Sequence, residues 1–140
     1  MTKRRSAGVM ALIVVLAAGW SIGRPTPVAS QDGIEVFFSP KGGCTEVIIN
    51  EIENAKFSVL VQAYSFTSAP IAKAILEAHQ NDVEVTVLLD SSQRTAQYSS
   101  ATFFRNQGVP VFIDDAHAIA HNKIILIDDS AIITGSFNFT

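Results

Sequence analysis

The chain has 140 residues, room for one domain, and at 48% hydrophobic and 16% charged it is too apolar to be disordered. Cys44 is the single cysteine, which excludes an intrachain disulfide framework and a cysteine-based zinc cluster. The formal charge of -3 is unevenly spread: Lys3, Arg4, Arg5 and Arg24 all precede the first acidic residue, Asp32.

The first thirty residues read as a targeting segment. Lys3 to Arg5 form a positive start, and Ala7 to Ala18 is an unbroken run of apolar or small residues, extended by Gly19-Trp20-Ser21-Ile22. Pro25 and Pro27 break the chain, and Val28-Ala29-Ser30 offers small residues for processing. The layout predicts a secretory signal peptide over 1–30, cleaved near Ser30, and an exported domain over 31–140. An uncleaved membrane anchor is the alternative, although the run is short for a spanning helix. Loss of the four leading cations leaves six basic residues against all 13 acidic ones, a formal charge of about -7. With no Lys/Arg-rich run either, the charge pattern argues against tight electrostatic capture of a polyanion.

Beyond the segment, two periods alternate. Ile34 to Phe38 reads as a short strand, Ser39 to Gly43 as a turn, and Thr45 to Ala55 as a helix with Ile48, Ile49 and Ile52 on one face. Lys56 to Tyr64 is apolar and β-branched enough for a buried strand. Ser68 and Pro70 open a helix whose stripe is Ile71, Ala74, Ile75 and Ala78. Val83 to Leu89 is a further strand. The polar stretch Ser91 to Ser100 leads into a helix carrying Phe103 and Phe104 and ended by Gly108. Val109 to Ile113, His121 to Ile127 and Ala131 to Gly135 read as strands, the last two joined by a turn at Asp128-Asp129-Ser130. The order predicts an α/β fold: a mixed, mostly parallel sheet flanked by helices, with an antiparallel hairpin at the end.

The chemistry gathers in the last twenty residues. On a strand His121 and Lys123 share a face, and so do Ser136 and Asn138. An imidazole, an ammonium, a hydroxyl and an amide on one surface suit a phosphodiester. The cation and neutral donors hold its oxygens, and the imidazole attacks phosphorus or moves a proton. Asp128 supplies a carboxylate near that surface or a clamp for the hairpin. Tyr64, Phe66, Phe137 and Phe139 read as core, or as stacking groups beside a phosphate cleft. His117, four residues before His121, is a candidate to line the cleft. A metal site built from Asp115, His117 and His121 lacks a recognised zinc spacing.

His121, Lys123, Asp128, Gly135, Ser136 and Asn138 follow H-x-K-x4-D-x6-G-S-x-N, the HKD signature of the phospholipase D superfamily. With Phe38-Ser39-Pro40, the KFSVLVQAYSFTS stretch and the closing GSFNFT, the chain from Ile34 to Thr140 resembles the small, single-motif bacterial endonuclease branch. The resemblance implies a metal-independent phosphodiesterase, with no cofactor, acting through a covalent phosphohistidine. It implies His121 as nucleophile, and as general acid in a second copy, so that a homodimer completes the site. It implies Lys123 and Asn138 on the phosphate oxygens, Ser136 supporting that grip, and Asp128 acting indirectly. Small members of the family continue beyond GSFNFT with a strand, a helix and an acidic residue that orients the histidine, so residues 31–140 are expected to form a domain lacking those parts. The substrate is a nucleic acid, favoured by the local resemblance, or a phospholipid. A catalytically inactive binding or dimerisation module is the alternative function.

Overall fold

The KFSVLVQAY stretch becomes the centre of the sheet. In the computed structural model, which describes residues 29–31 and 33–140, β3 (Ser58–Ala63) has a neighbour along each edge. The expected signal peptide lies almost wholly outside the described residues. The first strands, β1 (Ala29–Gln31) and β2 (Ile34–Val36), form a separate antiparallel hairpin. Next come α1 (Cys44–Glu53), β3, α2 (Ala69–Gln80), β4 (Glu84–Asp90), a 3-10 turn over Ser91–Arg94, and α3 (Ser100–Asn106). The chain then forms β5 (Val111–Asp114), β6 (Lys123–Ile127) and β7 (Ala131–Thr134).

The five-stranded sheet has the order β5-β4-β3-β6-β7. β3, β4 and β5 run parallel, through the helical crossovers α2 and α3, whereas β6 returns antiparallel to β3 and forms a hairpin with β7. This is the mixed α/β architecture the element order implies. Both Asp128 and Asp129 take φ 52 in the hairpin turn, a left-handed conformation that Asp tolerates better than branched residues.

Alternation along the strands sends one side chain set into the core. Val59, Val61 and Ala63 of β3, Val85, Val87 and Leu89 of β4, and Ile125 and Ile127 of β6 pack against Ile48 and Ile52 of α1, Ile71 and Ile75 of α2, and Phe104 of α3. The stripe read in α2 is buried as expected, with Ala72 added. The expectation that β3 is buried throughout is corrected: only one of its faces is. The opposite face carries Leu60, Phe112 and Ile132 at 38%, 57% and 71% exposure, with Leu88, Ile124 and Leu126 half-buried among them. Parallel strands usually need cover on both faces, which makes a continuous apolar run in sequence look doubly buried.

Candidate active site

Three chain segments meet where the parallel strands end, the side on which open α/β sheets hold ligands. The first is the chain leaving β3. Tyr64 follows the last strand residue, and its amide donates to the Asn122 carbonyl at 2.8 Å. The second is the approach to β6. His121 and Asn122 precede the strand and are exposed, while Lys123, its first residue, is 6% exposed. The sequence pattern puts His121 and Lys123 together on a strand. The structure instead leaves His121 in the loop, where it gains freedom to face outward.

Tyr64 brings the two together. Its ring lies 4.4 Å from the His121 imidazole, centroid to centroid, at 59°. The Lys123 ammonium lies 5.3 Å from the centre of the same ring, and Nζ donates to the His121 carbonyl at 3.0 Å. Tyr64 is therefore half-buried against the site rather than a core residue. An ammonium over an aromatic face gains about 0.5–2 kcal/mol, well short of what a carboxylate gives a buried cation. No carboxylate pairs with Lys123 among the described residues. A buried positive charge held by a ring and one carbonyl lacks a partner of opposite charge among the described residues.

The third segment follows β7. Gly135, at φ 153, turns the chain out of the strand in a conformation that disfavours a side chain. Ser136 is exposed. Asn138 is half-buried, and its Oδ1 has no hydrogen-bond partner among the described residues. Such orphans gather at functional sites. The segment passes the start of β6 and pairs in parallel with the chain after β3, at Phe66 and Phe139. The Phe139 carbonyl accepts from the amides of Thr67 and Ser68, both at 2.9 Å. Phe66 and Phe139 are core, as read, in an edge-to-face group with Phe104.

Two carboxylates that sequence reasoning missed hold the loop that carries His121. Asp90 ends β4 and is 3% exposed; its Oδ2 accepts from the Ala120 amide at 2.7 Å and its Oδ1 from Ser92 at 2.9 Å. Contact with Ser92 foremost, and then these amides, hold its carboxyl below the usual carboxylate range against the effect of burial. Asp114 ends β5 directly opposite Asp90 and accepts from the amides of Ala116 and His117. The available signal was an aspartate closing each apolar strand, in VEVTVLLD and VFID. Nothing local says that Asp90 bonds 30 residues downstream.

Asp128 is not brought to this cluster. It follows the other end of β6, about 17 Å along the strand from Lys123 at 3.4 Å per residue. Of the two roles the sequence left open, the geometry shows a clamp. Its carboxylate accepts from the amides of Lys56, Phe57 and Ser58 at 2.8, 2.7 and 2.8 Å, and its own amide donates to the Ser58 carbonyl at 3.0 Å. The Ser58 amide foremost, then that of Phe57, holds the Asp128 carboxyl below its ordinary value. A depressed folded-state pKa adds stability at pH values above the unfolded one, about 3.9, and loses it as pH falls through the folded value. The Tm deficit of Asp128→Asn relative to wild type should accordingly be largest near neutral pH and shrink below about pH 4. Calorimetry across pH checks this; a deficit independent of pH would mean that the carboxylate charge plays no part in the clamp.

The comparisons with known proteins bear on this geometry. A family model described as cardiolipin synthase, PLD-like domain, matches residues 48–140, which takes in every group described above. The chain belongs to the phospholipase D-like family. A phospholipase D of Rickettsia typhi is 38% identical over 114 residues, covering 81% of this chain and 56% of that one. A mitochondrial cardiolipin hydrolase of Xenopus laevis is 29% identical over 126 residues, covering 83% and 59%. The chain thus spans a little over half the length of these phospholipase D-like relatives. Among solved structures it resembles Nuc of Salmonella typhimurium, a phospholipase D family member, at 36% identity and a TM-score of 0.70, covering 74% of this chain and 70% of that one. NucT of Helicobacter pylori shares the fold, at 23% identity and a TM-score of 0.59, covering 68% and 66%. The mixed five-stranded sheet with its helices is the phospholipase D-like fold.

Proposed function

We propose that this chain is a metal-independent phosphodiesterase that forms a phosphohistidine on His121 and cleaves nucleic acid outside the cytoplasm. The observation that carries the reading is Lys123, a buried ammonium with no carboxylate partner among the described residues, beneath the ring that also packs His121. In the reaction, a neutral His121 nitrogen attacks phosphorus, the P–N bond forms, and the P–O bond to the leaving group breaks. An imidazolium gives that oxygen its proton. Water then attacks phosphorus while giving a proton back to the imidazole that protonated the leaving group, the P–N bond breaks, and both histidines are restored. Lys123 meets the charge on the non-bridging oxygens, with Asn138 and Ser136 completing the grip.

Nucleophile and acid must be two imidazoles in opposite protonation states, and the motif occurs once, so two copies of the chain share a site about a two-fold axis. Excess His121→Ala subunits, mixed with wild type under exchange, should lower activity per wild-type subunit. Unchanged activity per subunit would rule out the shared site.

The substrate and compartment have their own tests. Turnover of a bis-aryl phosphodiester should survive excess chelator; loss of activity there would show that a metal is required. Nucleic acid is favoured by the resemblance to the endonuclease branch and to Nuc, whereas the names of the Rickettsia and Xenopus relatives favour a lipid. One preparation assayed for DNA nicking and for phosphatidylcholine and cardiolipin turnover decides between them. Export predicts a mature start within a few residues of Gln31. An intact Met1 or Thr2 start on cytoplasmic protein would overturn it.

A further inference from the structure

His121 is exposed, lies in the loop before β6, and its imidazole makes no hydrogen bond among the described residues. Only its carbonyl is engaged, by Lys123 Nζ at 3.0 Å. An imidazole that must present one nitrogen along a line of attack is ordinarily aimed by a hydrogen bond on the other nitrogen. Here the ring packs instead against Tyr64, with centroids 4.4 Å apart and planes at 59°. Tilted aromatic pairs near this separation are favourable beyond the area they bury.

Tyr64 is itself well fixed. It is half-buried, one residue past the Ala63–Lys123 pair of the β3–β6 ladder, and its amide donates to the Asn122 carbonyl at 2.8 Å. Two residues on, Phe66 is fully buried and its amide donates to Gln93 Oε1 at 3.2 Å. The same Tyr64 ring also faces the Lys123 ammonium, at 5.3 Å. Its two neighbours differ in what else holds them. Lys123 is 6% exposed and keeps its bond to the His121 carbonyl without the ring. The imidazole has no second hold of that kind among the described residues. Loss of the Tyr64 ring therefore falls on the imidazole first, and frees side-chain torsions that the contact restrains.

We infer that Tyr64 is the positioning residue of the His121 nucleophile, and that its ring rather than its hydroxyl aims the imidazole at phosphorus. The inference rests on the phosphodiesterase reading above and adds to that site a residue outside the motif. In this role Tyr64 neither bonds to the diester nor moves a proton; it acts through His121. Its contribution is to kcat, because a nucleophile already held near its line of attack is spared the entropy of finding it, while the grip of Lys123 on the phosphate stays.

The test compares the full chain as wild type, as Tyr64→Leu, which keeps apolar bulk without a ring, and as Tyr64→Phe, which loses the hydroxyl alone. On a bis-aryl phosphodiester, Tyr64→Leu should lower kcat about tenfold, with KM and competitive inhibition by inorganic phosphate within about twofold of wild type. Tyr64→Phe should recover most of that loss. A second arm needs no turnover. Carbon-13 relaxation of the His121 ring, assigned by the signal missing from His121→Ala, should show an ordered imidazole in wild type and Tyr64→Phe and a more mobile one in Tyr64→Leu. The His79 and His117 rings should relax alike in all three, which sets a local loosening apart from a general loss of fold. Equal ring order in wild type and Tyr64→Leu overturns the inference, and so does an unchanged kcat in Tyr64→Leu. A loss in Tyr64→Phe as large as in Tyr64→Leu overturns it too, as does phosphate inhibition weakened about tenfold in Tyr64→Leu, which would place the effect on Lys123. Wild type that turns over no diester, with ring order still following the Tyr64 substitutions, would defeat the phosphodiesterase reading and leave the positioning contact standing.

Discussion

Replacing His121 by alanine is expected to abolish phosphodiester hydrolysis, and replacing Lys123 by alanine to slow it about 10²–10³-fold. The two losses differ in kind. On the proposed mechanism, His121→Ala removes the atom that bonds to phosphorus. On that mechanism the bond can form without Lys123, but the charge growing on the phosphoryl oxygens goes unmatched. Lys123→Arg should recover only part of the rate, because Nζ sits between the Tyr64 ring and the His121 carbonyl and a planar guanidinium does not fit where a compact ammonium does. Rapid acid quench of a labelled diester followed by digestion should place the label on the peptide containing His121, acid-labile and alkali-stable as a phosphoramidate is. Label on Ser136, or full turnover with no covalent species, would leave direct attack by water as the mechanism.

Phe66→Ala should cost about 3–5 kcal/mol, out of the roughly 5–15 kcal/mol that holds a domain of this kind together. The ring is fully buried, with Phe104 and Phe139 edge-on at 5.3 and 5.6 Å. Its backbone is tied down as firmly as its side chain: its amide donates to the Gln93 side chain at 3.2 Å, and its carbonyl accepts from Ser100 at 2.9 Å. The cavity left by the ring opens beneath the Phe139 bridge, which holds the segment bearing Ser136 and Asn138. Stability and site geometry should therefore fail together. Urea unfolding should show a much lower midpoint at similar slope, with a smaller loss for Phe66→Leu. A midpoint within error of wild type would mean that the core closes over the missing ring.

Much of this was legible from local pattern. The stripes of α1 and α2, the strands read around Val59, Val85 and Ile125, and the final hairpin follow from periods of 3.6 and 2 that each element must show to bury one face. The motif spacing marked His121, Lys123, Ser136 and Asn138. Partners set by tertiary approach were not legible. Tyr64 looked like core because its ring is apolar, and only the pairing of β3 with β6 sets it under His121. His121 looked like a strand residue because alternation continues through Asn122 into Lys123, yet the ladder begins at Lys123. Asp90 and Asp114 lay just past the strands read as Val83 to Leu89 and Val109 to Ile113 and drew no reading of their own, yet they are the carboxylates that accept from the loop amides.

The reach of Asp128 back to Lys56, 72 residues earlier, has a consequence for synthesis. On a growing chain β3, α2 and β4 emerge in sequence and can pair at once, through contacts of modest separation. The second edge of β3 has no partner until β6 has been made, and the Asp128 carboxylate can cap the first residues of β3 only after that. During that interval the ribosome holds a nascent chain with an open, apolar β-edge, the kind of surface that recruits other strands. Pairings that span this much sequence are also the slowest to close. Arrested nascent chains ending before β6 should therefore stay protease-sensitive at β3 and depend on chaperones for solubility, and protection there should appear only once Asp128 has cleared the exit tunnel.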